Sequence, residues 1–291
     1  MIQWYVLSIA SAFFSAVAAI TQKKVLFKES ALGFSAILAF FNLVLAIPFF
    51  LFTDFSSLTS AGLFVLLFKS FLGALAFLCV MLGIKNLEIS RALPLLVLTP
   101  GLVALFAFIF LKEVLTKIEI FGMLLLIAGT YTLSLKKDEK IEEPIDKALD
   151  PRGHYYIILA LVLFTITSVL DKAVLNNFKV PLNAFMGFQH LFFAGIFFLI
   201  VIFTGKTKSV KSSFSKSWKL ILLISFFTIT YRYAHLQAIK IAPVALALSI
   251  KRLSVFFAVV AGGTLFKEHN LVRKFVATVM MVAGTILVIR F

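Results

Sequence analysis

The sequence predicts an all-α integral membrane protein: ten transmembrane helices in two inverted five-helix repeats. Three observations carry that prediction. First, 62% of the 291 residues are hydrophobic, only 14% are charged, and mean hydropathy is +1.07. A soluble domain has about 45–50% apolar and about 25% charged residues, so this chain holds more apolar surface than a water-soluble core can bury. Second, the apolar residues fall into ten stretches near the ~20 residues that cross a bilayer. These spans run roughly 4–22, 32–52, 61–84, 91–111, 117–135, 154–176, 182–203, 217–237, 241–265 and 270–290. Third, the chain repeats itself at a fixed offset.

Each span brings its own polar residues. Span 1, from Trp4, has no basic residues before its apolar stretch and reads as a membrane helix rather than a signal peptide, although Ala16, Ala18 and Ala19 imitate a cleavage site. Ser8, Ser11, Ser15 and Gln22 follow helical spacing along it. They serve either a polar cavity or close helix packing. Span 2 offers Ser35 and Asn42. Span 3 holds Lys69 in its middle third, with Gly73 and Ala76 on the same face. It also holds the single cysteine, Cys79, which excludes an internal disulfide and a zinc cluster. Pro94 and Pro100 in span 4 remove backbone donors and are expected to kink it. Span 5 has almost no interior polar residue, only the small step Ala128-Gly129.

Residues 136–152 carry five basic and six acidic residues and two prolines, and form a solvated linker. It separates residues 1–135 from 153–291. Span 6 adds Thr165, Ser168 and Lys172, with Asp171 near its end, and span 7 aligns Asn183, Gly187, His190 and Ala194. On span 8, Ser225, Thr228, Arg232 and His235 form one stripe, flanked by Tyr231 and Tyr233, which read as part of the interfacial aromatic belt. The lysines at 206, 208, 211, 216 and 219 precede it as a loop. Pro243 opens span 9, either as a kink or as an ordinary first-turn proline. That span places Lys251-Arg252 at its middle, with Ala247, Ser254 and Ala258 on the Lys251 face. Span 10 repeats the small step as Ala283-Gly284. Spans 5 and 10 are therefore expected outside any cavity, as bracing or as the contact of a homodimer.

The repeat is visible residue by residue. At an offset of 155, Lys112-Glu113 falls on Lys267-Glu268, Ala128-Gly129-Thr130 on Ala283-Gly284-Thr285, Ile84-Lys85 on Ile239-Lys240, and Ala92-Leu93 on Ala247-Leu248. Spans 1 and 6 align more weakly at 149, through Lys23-x-Val25-Leu26 and Lys172-x-Val174-Leu175. Five is odd, so consecutive repeats sit inverted in the membrane. That plan places a substrate site near the midplane between the halves.

The segment Pro94-Leu95-Leu96-Val97-Leu98-Thr99-Pro100 through Phe110-Leu111-Lys112-Glu113 resembles the fourth helix of EamA-type proteins of the drug/metabolite transporter superfamily. Its partner, Ala242-Pro243 through Leu265-Phe266-Lys267-Glu268, does so too, as does the A-G-T step in each last helix. The resemblance implies the fold and a transport function and is nearly silent on substrate. Lys251-Arg252 also resembles the Lys-Arg step with which organic-phosphate members hold phosphate.

A charge at the bilayer centre costs roughly 2.5–3.5 kcal/mol. Lys69, Arg232, Lys251 and Arg252 together would cost about 10–14 kcal/mol facing lipid, so they are expected to face a wet cavity, an acid or a ligand. Glu29, Asp54, Glu88, Glu113, Glu119 and Glu268 lie at or beyond span ends, which leaves Asp171 as the one acid able to pair with them. A basic cavity without a mid-membrane carboxylate suits an anionic solute, or the carboxylate of a zwitterion, rather than a cationic drug. The expected substrate-binding residues are Ser15, Asn42, Lys69, His190, Arg232, His235, Lys251 and Arg252. The two histidines are structural groups or a proton relay.

The expected function is alternating-access secondary transport of a small polar metabolite that is anionic or carries a carboxylate or phosphate. Alternatives are an exporter of amino acids or related zwitterions and, further off, a flippase of lipid-linked sugars. The sequence has no HExxH metal motif, no evident Ser/His/Asp set and no paired carboxylates at membrane depth, so no enzyme, catalytic residue, metal or cofactor is expected. The +15 net charge points to lipid headgroups and anionic solutes rather than nucleic acid. A multi-pass protein of the cell membrane is expected. Alternate loops carry eighteen and six basic residues, and the positive-inside rule places both termini outside, opposite to the assignment common in relatives.

Overall fold

A computed structural model of the chain describes residues 3–86, 98–134, 155–254, 257 and 271–289. Every regular element among them is helical: α1 (Trp4–Leu26), α2 (Ala31–Leu51), a 3-10 turn (Phe55–Ser57), α3 (Ser60–Asn86), α4 (Thr99–Leu111), α5 (Lys117–Ser134), α6 (Tyr155–Asn176), α7 (Leu182–Thr204), α8 (Thr207–Ile241), α9 (Val244–Lys251) and α10 (Leu271–Ile289). The ten α-helices follow the ten spans. Of these, α1, α2, α3, α6 and α7 are long and apolar enough to cross a membrane by length and composition alone. Pro94, Ala258, Glu268 and the 136–152 linker lie outside the described residues.

The halves are interleaved rather than side by side. The first helix of each half lies on the third of the other, α1 on α8 and α6 on α3. The equivalent pairs α2–α7, α4–α9 and α5–α10 also pack together. This is the contact pattern of two inverted copies about a pseudo-two-fold axis, and the strongest helix contacts all cross between halves.

The crossing of α5 and α10 shows that symmetry at atomic scale. A Cβ added at Gly284 would stand 2.6 Å from Gly122 O and 2.9 Å from Leu126 N. One added at Gly129 would stand 2.9 Å from Ala277 O. The offset of 155 carries Gly122 onto Ala277 and Gly129 onto Gly284, so these are the same contact seen from each half. The small-residue faces thus brace the two halves of one chain. Gly284→Leu is expected to destabilise by about 3 kcal/mol, the upper end for overpacking, because the obstructing atoms are backbone. Gly101→Ala, whose added methyl meets nothing nearer than Ile127 Cδ1 at 3.7 Å, is expected to be neutral. Thermal unfolding in detergent checks both.

Three boundaries differ from the sequence expectation. The basic 204–219 segment is not a loop: after a turn at Gly205-Lys206, residues from Thr207 onward are the N-terminal part of α8, which has 35 residues. At 1.5 Å per residue that exceeds the ~30 Å bilayer core, so its Lys- and Ser-rich start, neutral to helix formation, extends beyond the membrane. Its buried Ser213 Oγ and its Ser217 Oγ donate to Glu29 at 2.6 and 2.8 Å, and Ser209 bonds Ser30, tying the α1–α2 corner to the extension. Pro100 sits in the first turn of α4 as an ordinary helix start, and Pro243 directly precedes α9 in the same role. Finally, α9 is interrupted after Lys251: Arg252, its C-cap, keeps helical backbone angles, and helical residues resume at Leu253 and Ser254.

Candidate functional site

One cavity of about 290 Å³ lies between the halves. Ser15 of α1, Asn42 of α2, Lys69 of α3, His190 of α7, Arg232 and His235 of α8, and Lys251-Arg252 at the end of α9 all line it. Gln22, Ser35, Gly73, Ser168, Thr228 and Ser254 join them. Other members of the polar stripes go elsewhere. Ser11 Oγ donates to Tyr231 O at 2.9 Å and Ser225 Oγ to Leu38 O at 3.4 Å. Asn183 Nδ2 donates to Phe52 O at 3.0 Å, and Gly187 faces the Phe50 ring.

The carboxylate-free expectation is corrected. Asp171 lines the cavity at 3% exposure, and it pairs with two of the four cations. Arg232 Nη2 donates to its Oδ2 at 2.6 Å. Lys69 Nζ stands 2.7 Å from its Oδ1, as an ion pair without the angle of a hydrogen bond. The same two nitrogens donate to Gln189 Oε1, at 2.6 Å from Lys69 and 2.8 Å from Arg232. Phe185 forms the floor beneath them, its ring centroid 5.0 Å from Lys69 Nζ and 5.8 Å from Arg232 Cζ. Sharing one carbonyl holds the two cationic nitrogens within 5.4 Å of each other. At an effective dielectric near 20 their repulsion is about 3 kcal/mol, which Asp171 offsets.

Lys251 and Arg252 are different. Among the described residues neither pairs with a carboxylate. Lys251 Nζ lies 5.0 Å from the centre of the Tyr231 ring, and Arg252 Nε is buried without a partner. Around them Ser35 Oγ, Asn42 Oδ1, both ring nitrogens of His190 and Nδ1 of His235 are also buried and unpartnered. Buried polar atoms are normally bonded. So many without partners on one cavity mark a surface built to bond its contents, water or solute. Among the described residues, four cations and one carboxylate leave the lining with a formal charge of +3. Nothing among the described hydrogen bonds links the histidines into a relay.

Two readings of the sequence missed part of this site. Tyr231 belongs to the cavity rather than to the interfacial belt, whereas Tyr233 stacks on Phe49 at 5.7 Å and accepts from Gln237. Gln189 was not singled out at all. Its signal was the series Phe185, Gln189, Phe193, Phe197 at four-residue spacing, a buried aromatic face with one polar member.

At the start of α9 Glu113 joins three elements. Lys112 takes a left-handed conformation (φ 58), ending α4 and turning the chain to Glu113. The carboxylate then accepts from Val244 N at 3.0 Å and lies 3.3 Å from Lys172 Nζ, which donates to Ala242 O at 2.7 Å.

Residues 2–135 and 151–290 each match the model of the EamA-like transporter family. No curated protein matches the chain. A solved structure described only as "Crystal structure of protein" has the same fold: TM-score 0.75, 15% identity, over 98% of this chain and 96% of that one. With the match spanning both five-helix units, the chain belongs to the EamA-like transporter family, whose members are multi-pass membrane transporters of small substrates.

Proposed function

We propose that this protein is a secondary carrier of the cell membrane that moves a small anionic metabolite by alternating access, with Lys251 and Arg252 holding the negative group. The observation that carries this reading is the +3 cavity in which two cations face no described carboxylate. A volume near 290 Å³ is at the lower end of ligand pockets and favours a small metabolite over a lipid-linked sugar. A second reading is an amino acid or related zwitterion, because Asp171 offers a carboxylate for an ammonium group. Its oxygens already serve Lys69 and Arg232, which favours the simple anion.

The test is thermal unfolding of the purified chain against orthophosphate, glycerol 3-phosphate, malate, lactate, alanine and choline. A ligand at 100 times its Kd adds about 2.7 kcal/mol to stability. Stabilisation by the anions and not by alanine or choline is the expected outcome. Stabilisation by alanine alone would move the substrate to the zwitterion class.

A further inference from the structure

We infer that Asp171 is a tethered stand-in for the substrate's negative group, which lets the empty carrier reorient and so makes this protein a net transporter rather than an obligatory exchanger. The inference rests on the anionic reading above and deepens it.

The geometry divides the cavity's cations into two kinds. Lys251 and Arg252 wait without a described counter-ion, while Lys69 and Arg232 already hold one that belongs to the chain. Asp171 is on α6, in the second half, and Lys69 is on α3, in the first. Their 2.7 Å contact lies within the closely packed α3–α6 pair, whereas the Arg232 contact comes from α8, which packs mainly on α1 and α2 and touches α6 only lightly, and so joins two packed groups of helices. Arg232 on α8 completes the bridge through the other carboxylate oxygen, and Gln189 Oε1 on α7 accepts from both cations on their remaining side. Four helices meet at one carboxylate, and all four side chains also line the cavity, within reach of its contents.

Closing an empty cavity brings these cations together in a space that loses water, where repulsion grows as the dielectric falls. A carrier with four cations and no internal anion would need cargo to close. Its empty form would stay open to one side, and only exchange of one anion for another would proceed. Asp171 removes that requirement for the pair that spans the two halves. His190, also on α7, adds no charge while neutral, and Lys172, next to Asp171 in sequence, is turned to Glu113.

The experiment uses the full chain in liposomes, with labelled orthophosphate and labelled malate as probes. Uptake into vesicles empty of anion (net) is compared with uptake into vesicles preloaded with the same anion (exchange). Wild type is expected to show net and exchange rates within about threefold. Asp171→Asn is expected to lose net uptake by about tenfold or more while exchange stays within about threefold, since the repulsion it uncovers opposes only empty closure. Asp171→Glu should keep both. The double variant Asp171→Asn with Lys69→Gln returns the described lining to +3 and should bring the ratio of net to exchange uptake back towards the wild-type value whatever its absolute rate, and it carries the test if the single variant does not fold.

Equal loss of net and exchange in Asp171→Asn would make the residue a structural support and overturn the inference. So would a wild type confined to exchange, or failure of both the single and the double variant to fold. If neither probe moves in wild type, the anionic reading falls by itself. Spin labels at exposed Ser57 and Lys240, one in each half on the same face, then decide the remainder in substrate-free protein. Two distance populations in wild type against one in Asp171→Asn support empty reorientation, and one population in both overturns it.

Discussion

Replacing Lys251 and Arg252 together by glutamine is expected to lower anion uptake by about a hundredfold or more while leaving the protein at least as stable as wild type. The loss follows from the strength of the bonds removed. A hydrogen bond to a charged group contributes about 1.5–3 kcal/mol, and two such groups facing one anion amount to a factor of about 10² or more in affinity. The stability prediction has the opposite sign for a physical reason. Neither cation has a described carboxylate to lose, and Arg252 Nε is already buried without a partner. Neutralising them removes a desolvation cost and a share of the repulsion with Lys69 and Arg232 without orphaning any acid.

That combination separates a working charge from a structural one. Uptake of orthophosphate and malate into liposomes, read beside thermal midpoints of the same preparations, checks it. A double variant that transports at the wild-type rate would remove these residues from the site. One that unfolds early would show instead that Lys251 and Arg252 hold the bundle together. The repeat supports the expected outcome, loss of uptake with stability kept. At the offset of 155 the pair falls on Leu96 and Val97, so the corresponding positions of the other half carry apolar residues and the scaffold does not itself demand charge there.

Much of this architecture could be read from the chain because membrane constraints are simple. Backbone groups must be satisfied within each span, so length and hydropathy alone marked the helices. Duplication left the offset of 155, and with it the reciprocal contact of Gly122 with Gly284 and of Gly129 with Ala277. The cations were legible for the same reason: a charge at membrane depth is too costly to be idle.

What could not be read was register between helices. Asp171, five residues from the end of α6, could be singled out in the sequence as the one acid able to pair with the cations, but not which of them it meets. Only the packing of α6 against α3 and α8 brings it to Lys69 and Arg232. Gln189 was hidden by the same limit, since a polar residue among phenylalanines reveals nothing until its neighbours are known. The extension of α8 escaped for another reason: lysine and serine do not oppose a helix, and hydropathy measures membrane depth rather than helix length.

The third acid–base element, Glu113 with Lys172, is expected to control where the basic pair stands. The eight residues of α9 have the α8–α9 corner at one end and Lys251 at the other. That corner, Ala242-Pro243-Val244, is gripped on both sides: Lys172 Nζ bonds the carbonyl of Ala242 and Glu113 bonds the amide of Val244. Pro243 has no amide to offer, so the Val244 N–H is the first donor of the helix end, and a carboxylate there also meets the positive end of the helix dipole. Glu113→Ala removes a helix cap, worth about 0.5–2 kcal/mol, and strands a lysine whose side chain is only 12% exposed. A fully buried pair broken in this way costs about 3–5 kcal/mol, so a total near 2–4 kcal/mol is expected for this partly wetted one. Glu113→Gln keeps an acceptor for Val244 and should cost about half as much. Lys172→Met leaves the cap in place, and combining it with Glu113→Ala should cost clearly less than the sum of the two single changes, because the stranded lysine is gone. Thermal midpoints of the four proteins test the coupling, and strict additivity would break the proposed link. Transport supplies the second readout: with α9 loosened at one end, the position of Lys251 and Arg252 spreads, so the KM for anion should rise in Glu113→Ala and return towards the wild-type value in Glu113→Gln.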